Sequence, residues 1–122
     1  GMRRDERGLP PANLLLMCAA MEAAMAKAYW INTFREIRDP VRLEAYIKVA
    51  GPAMRAAGGR FLARGNPAAA FESGTTERTT LIEFPSVAVA VAAYESAGYQ
   101  DALAVLGDGA VRDLRIIEAL PD

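Results

Sequence analysis

Between Lys27 and Leu120 the apolar positions of the chain switch between a period of two and a period near 3.6, and each switch marks an element. Lys27 to Ile37 carries Tyr29, Trp30, Ile31, Thr33 and Phe34, the β-branched and aromatic content of a strand. Its alternation places Trp30, Asn32 and Phe34 on one face and Tyr29, Ile31 and Thr33 on the other, so both faces call for cover. Asp39-Pro40 then opens a helix, Asp39 capping and Pro40 in the first turn. Leu43, Tyr46, Ile47, Ala50, Met54 and Ala57 recur at helical spacing as one stripe. Gly51-Pro52 is expected to kink or split this helix, and Gly58-Gly59 to stop it.

Arg60 to Arg64 reads as a short strand with Arg60, Leu62 and Arg64 on one face. Gly65-Asn66-Pro67 interrupts it, Ala68 to Glu72 is expected to resume it, and Ser73-Gly74 turns the chain back. Thr79 to Phe84 is the third strand, with Leu81 and Glu83 on one face and Ile82 and Phe84 on the other. Pro85 stops it and Ser86 caps a second helix rich in alanine; Ser96 caps a further turn through Tyr99, Ala102, Leu103 and Leu106. Val111 to Leu120, apolar on both faces through Leu114, Ile116 and Ile117, is the last strand.

Strand, helix, strand, strand, helix, strand is the order of an α+β fold. Two right-handed crossovers place the third strand between the first and second, and the first between the third and fourth. The result is a ferredoxin-like βαββαβ antiparallel sheet with both helices on one face. A sheet whose other face is also apolar calls for a partner, most economically a second copy related by a twofold axis.

Composition changes this picture mainly by exclusion. The 122 residues suit one domain with a real core, and 52% hydrophobic against 24% charged residues is a globular balance. A formal net charge of -1 removes the broad basic field of a nucleic-acid binder, and no apolar run is long enough to span a membrane. There is no histidine and one cysteine, Cys18, which excludes histidine-based triads, histidine-ligated haem, an intrachain disulfide and cysteine metal clusters. No cofactor is expected, and a cytoplasmic location fits. Acid–base chemistry is left to Asp, Glu, Lys, Tyr or water.

Residues 1–24 read as an extension ahead of the domain at 25–122. Gly1 before Met2 resembles a remnant of tag removal. The basic residues ahead of Leu14-Leu15-Leu16 mimic a signal peptide, but Asp5, Glu6 and Pro10-Pro11 speak against one, and Asn13 is a good cap for an additional helix.

Candidate chemistry gathers at few places. Glu83 is a carboxylate within an apolar strand, and Arg64 on the neighbouring strand could face the same side. The two form either an internal ion pair that satisfies two buried charges, or a polar site in which Arg64 binds a carboxylate or phenolate and Glu83 orients or protonates it. Asn32, Tyr46, Tyr94 and Tyr99 are possible rim contributors to such a ligand site, with Trp30 and Phe34 as apolar walls. Ser86 has no base to activate it and reads as a cap.

Several segments resemble the bacterial family known as domain of unknown function 1330, within the dimeric α/β-barrel superfamily. They are Met25-Ala26-Lys27-Ala28-Tyr29-Trp30, Gly58 through Gly65, Ile82-Glu83-Phe84-Pro85-Ser86, Ala93-Tyr94-Glu95-Ser96 and Tyr99-Gln100. The resemblance covers Met25 to about Leu120; Asn66 and Ala97-Gly98 depart from its usual Gly and Pro-Glu. It implies a homodimer whose two sheets face one another and enclose a pocket, and it implies no established reaction. Wider members of the superfamily include cofactor-free monooxygenases, lactone isomerases, haem enzymes and amino-acid-sensing domains. Two readings follow: a small-molecule-binding protein, such as a cofactor-free enzyme acting on a small organic acid between sheet and partner, or a non-catalytic sensing or interaction module whose pocket is packed dimer core.

Overall fold

A computed structural model describes residues 13–17 and 26–121 of the chain. Four strands, β1 (Ala28–Ile37), β2 (Arg60–Gly65), β3 (Thr79–Phe84) and β4 (Ala110–Glu118), form one antiparallel sheet in the order β2-β3-β1-β4. That is the strand order the two crossovers predict. Three helices, α1 (Pro40–Ala56), α2 (Val87–Glu95) and α3 (Ala97–Leu106), complete the domain. Residues 13–17 are helical; the rest of the expected extension lies outside the described residues.

The caps act as their residue types dictate. The Asp39 carboxylate accepts from the backbone N–H of Val41 and Arg42 at 3.1 and 3.2 Å, with Pro40 in the first turn. The Ser86 hydroxyl accepts from Val89 N–H at 3.1 Å to start α2, and Ser96 from Tyr99 N–H at 3.3 Å to start α3. At the end of α1 the chain turns through Gly58 at φ +100, a conformation that favours glycine. Gly59 follows because nothing larger fits: a Cβ there would stand 2.9 Å from both Ile82 Cγ2 and the Met54 carbonyl.

Two expectations are revised. α1 is not split at Gly51-Pro52 but continues through it. Pro52 denies a hydrogen bond only to the carbonyl of Lys48, and both residues lie on the exposed side, where water replaces the missing donor. Ala68 to Glu72 does not resume a strand; residues 66–78 form a loop, tied by Asn66 Nδ2 donating to the Thr76 carbonyl at 2.9 Å. Within it a tight turn closes with Gly74 N–H donating to the Phe71 carbonyl at 2.9 Å, which withdraws the backbone from the ladder.

The core lies between the helices and one face of the sheet. Trp30, Phe34, Ile82 and Phe84 point into it from the strands, and Leu43, Tyr46, Ala50, Met54, Ala90, Ala93, Tyr99, Ala102 and Leu106 meet them from the helices. Among the described residues no element covers the opposite face. Tyr29, Ile31 and Leu81 are half-buried there and Ile117 is exposed, interleaved with charged groups. Arg35, Asp113 and Arg115 form one cluster, with Asp113 accepting from both arginines, whose hydrogen bonds lower its pKa.

Candidate functional site

The polar positions of the helix-facing side fall into one row. Asn32 on β1 is the ladder partner of Thr80 on β3, and Thr80 is the partner of Arg64 on β2. With strands about 4.8 Å apart, the row spans roughly 10 Å between the Cα atoms of Asn32 and Arg64. It passes from a fully buried amide through a buried hydroxyl to an exposed guanidinium. The adjacent row, Trp30–Ile82–Phe61, is apolar.

Above these rows α1 supplies Tyr46, Ile47, Ala50, Gly51 and Met54, and a cavity of about 40 Å³ lies between them and the sheet. Trp30, Asn32, Phe34, Phe61, Arg64, Arg78, Thr80 and Ile82 complete its lining. Arg78, at the end of the loop, is half-buried, and its carbonyl accepts from Phe34 N–H at 3.0 Å. The solvent side of the cavity is therefore cationic. Arg64 holds its guanidinium 5.2 Å from the centre of the Phe61 ring, with Arg55 at 5.0 Å. Among the described residues neither Arg64 nor Arg78 is paired with a carboxylate. Asn32, 3% exposed, also lines the cavity, and its inaccessible Oδ1 has no hydrogen-bond partner among the described residues.

A bulge makes this row. Arg60 pairs with Glu83 and Phe61 with Ile82, but Ala63, not Leu62, pairs with Leu81. The extra residue, Leu62, shifts the alternation by one, so that Arg64 shares the helix-facing side with Phe61. The expected pairing of Arg64 with Glu83 is therefore corrected. Glu83 lies on the bare face, 3.6 Å from Arg60 and 3.5 Å from Lys27, whereas Arg64 lines the cavity. The cavity itself is under α1 rather than on the face expected to meet a partner.

Of the other anticipated residues, Trp30, Asn32, Phe34 and Tyr46 line the cavity and Tyr94 and Tyr99 do not. Tyr99 is fully buried, and Tyr94 is 38% exposed with its ring 5.4 Å from that of Tyr99. Behind the cavity the Tyr46 and Tyr99 hydroxyls are 2.7 Å apart, and Arg112 Nη1 donates to both at 2.9 Å. Burial pushes the Tyr46 phenol well above its ordinary pKa; Tyr99 adds to the rise and Arg112 opposes it. Tyr46 therefore stays neutral.

Thr80, Arg78 and Arg112 are not among the anticipated residues, though two of them carry a signal. Thr80 alternates with the inward-facing Ile82 and Phe84, and Arg112 with the inward-facing Leu114 and Ile116. Among the described residues no three His, Cys, Asp or Glu side chains gather as a metal site, and no helix is long and apolar enough to cross a membrane.

The family model for a domain of unknown function (DUF1330) matches residues 27–120. No curated protein matches the chain. Among solved structures, the RPA0582 protein of unknown function from Rhodopseudomonas palustris is 19% identical, covering 93% of this chain and 97% of its own, with a TM-score of 0.62. A dimeric ferredoxin-like protein of unknown function from Thermobifida fusca is 17% identical over 77% of this chain and 92% of its own, at a TM-score of 0.57. SnoaB, a cofactor-independent oxygenase from Streptomyces nogalater, is 11% identical over 80% of this chain and 96% of its own, at a TM-score of 0.54. At these identities the likeness is one of fold, and the fold is ferredoxin-like.

Proposed function

The chain belongs to the DUF1330 family, and we propose that it is a homodimer that binds a small organic acid in the cavity beneath α1. The observation that carries the reading is a largely apolar cavity with two arginines at its opening, Arg64 and Arg78, neither of them paired with a carboxylate among the described residues. Arg64 and Arg78 take the carboxylate, the apolar walls Trp30, Phe34, Met54 and Ile82 take the carbon atoms, and Thr80 stands between.

The dimer is supported by the bare apolar face and by the dimeric Thermobifida fusca protein of the same fold. Turnover on the bound acid is the further step for which SnoaB provides an analogy of fold. One observation favours a non-catalytic sensing module instead: about 40 Å³ admits only some three water-sized groups, at roughly 10–15 Å³ each. Water bridging Asn32 to Thr80 would then be the whole content of the cavity.

Native mass spectrometry of the protein as purified, set against its denatured mass, tests both parts. A dimer with a reproducible added mass that is lost in Arg64→Gln supports the reading. A monomer at micromolar concentration removes the dimer. If millimolar propionate neither adds mass nor shifts Trp30 fluorescence, the cavity is packing and no ligand site.

A further inference from the structure

We infer that the acid bound beneath α1 carries two negative charges on one head group at the cavity mouth, with a short apolar tail inside. A phosphate monoester and a malonate-type diacid share that chemistry. This rests on the cavity beneath α1 being a binding site, and deepens that reading through the charges at its opening.

The opening holds a third cation. Arg55 follows Gly51 by one helical turn, and its Nη1 stands 3.6 Å from the position a Cβ on Gly51 would take. Gly51 and Phe61 both line the cavity, and the Arg55 guanidinium is 5.0 Å from the centre of the Phe61 ring. Arg64 approaches the same ring at 5.2 Å, and Arg78 belongs to the lining. The two guanidinium groups against Phe61 are therefore no further apart than those distances together, about one screening length in dilute salt. The ring attracts each cation but neutralises neither. Among the described residues none of these three arginines pairs with a carboxylate, whereas Lys27, Arg35, Arg38, Arg42, Arg60 and Arg115 do. One carboxylate answers one of the three charges. A doubly charged head answers two, and its several acceptor oxygens suit guanidinium donors.

The interior decides where the second charge goes. Beyond Arg64 and Arg78 no charged side chain lines the cavity. Arg112 lies behind Tyr46, its Nη1 engaged by the Tyr46 and Tyr99 hydroxyls. A carboxylate pushed inside would be unpaired, which is costly. A diacid with its charges at opposite ends is thus disfavoured, and both charges belong at the mouth. The cavity of about 40 Å³ then takes a tail of two or three carbons, at roughly 10–15 Å³ for each water-sized group.

The test titrates the full chain with butyrate, ethylmalonate and ethyl phosphate, which share an ethyl tail and differ in the head. Inorganic phosphate is the probe without a tail. The titrations run at about pH 8, above the second phosphate pKa of about 6. Binding is followed by 1H–15N chemical shifts, of the backbone and of the Trp30 indole, in the wild type and in Arg55→Gln. Ethylmalonate or ethyl phosphate should bind the wild type about tenfold more tightly than butyrate, the discrimination expected of one charge-assisted hydrogen bond. Whichever does so identifies the head. Arg55→Gln should abolish that advantage and leave butyrate unchanged. Equal affinity for butyrate and both dianions overturns the second charge while leaving an acid site in place. An advantage that survives Arg55→Gln overturns the part given to Arg55. Inorganic phosphate as tight as ethyl phosphate overturns the tail and reduces the mouth to an anion patch. No shift with any of the four overturns the site and the doubly charged head together. The wild-type ratios decide even if Arg55→Gln does not fold.

Discussion

Asn32 stands directly across the β1–β3 ladder from Thr80, and with 3% exposure its Oδ1 still reaches no partner among the described residues. Such a group costs the empty protein stability. Asn32→Leu, of the same branching but bulkier and without polar atoms, should therefore stabilise the unliganded domain by about 1 kcal/mol, its extra volume taking up part of the adjoining cavity. Urea denaturation checks the first part. A loss of more than about 1 kcal/mol would mean that Asn32 is satisfied in solution.

Arg64 and Glu83 lie on opposite faces of the sheet, so their substitutions should separate. Arg64→Gln should weaken binding of short acids about tenfold and leave unfolding unchanged. Glu83→Gln should leave acid binding untouched, since its partners Arg60 and Lys27 are on the bare face. Loss of acid binding in Glu83→Gln would return the carboxylate to the site.

The Tyr46 phenol has a folded-state pKa above its unfolded value, because burial opposes its ionisation. Its contribution to stability is thus complete below about pH 10, the ordinary phenol value, and is lost as pH rises beyond it. For this group the loss runs at roughly 1.4 kcal/mol per pH unit. Tyr46→Phe should flatten the alkaline limb of the stability curve, read by denaturation at successive pH values. An identical slope in both proteins would show that Tyr46 ionises in the native state.

Gly59 has no room for a methyl group: a Cβ added there would stand 2.9 Å from Ile82 Cγ2 and from the Met54 carbonyl, and 3.0 Å from Phe84 Cζ. Gly59→Ala should cost about 1–3 kcal/mol, since these obstacles are core side chains or backbone. Thermal unfolding measures it, and an unchanged midpoint would show that the first helix can move off the sheet.

Ile117, 57% exposed on the bare face, is the place to interrupt a dimer. Ile117→Lys should give a monomer by light scattering at concentrations where the wild type is dimeric, with the fold retained by circular dichroism. A persistent dimer would locate the interface elsewhere.

The strand order, the caps at Asp39, Ser86 and Ser96, and the inward set of Trp30, Phe34, Ile82 and Phe84 are legible in the sequence, because they follow from local chemistry and period. Arg64 is not. Strict alternation puts it beside Arg60, and only the pairing of Ala63 with Leu81 reveals the extra residue at Leu62. No Gly or Pro marks the bulge within Arg60-Phe61-Leu62-Ala63-Arg64, so no local signal announces it. Pro52 fails as a helix breaker for a different reason, since its cost depends on whether the freed carbonyl faces water, which is a property of the fold.

The two ends of the polar row differ in how easily they can change. Asn32 sits in an inner strand laddered on both sides, whereas Arg64 sits in an edge strand held by one ladder and already offset by a residue. A substitution or a further slip in that edge strand would exchange the charge at the opening and disturb almost nothing else. Such a cavity can be retuned to a new charged group at its mouth while its buried end stays fixed.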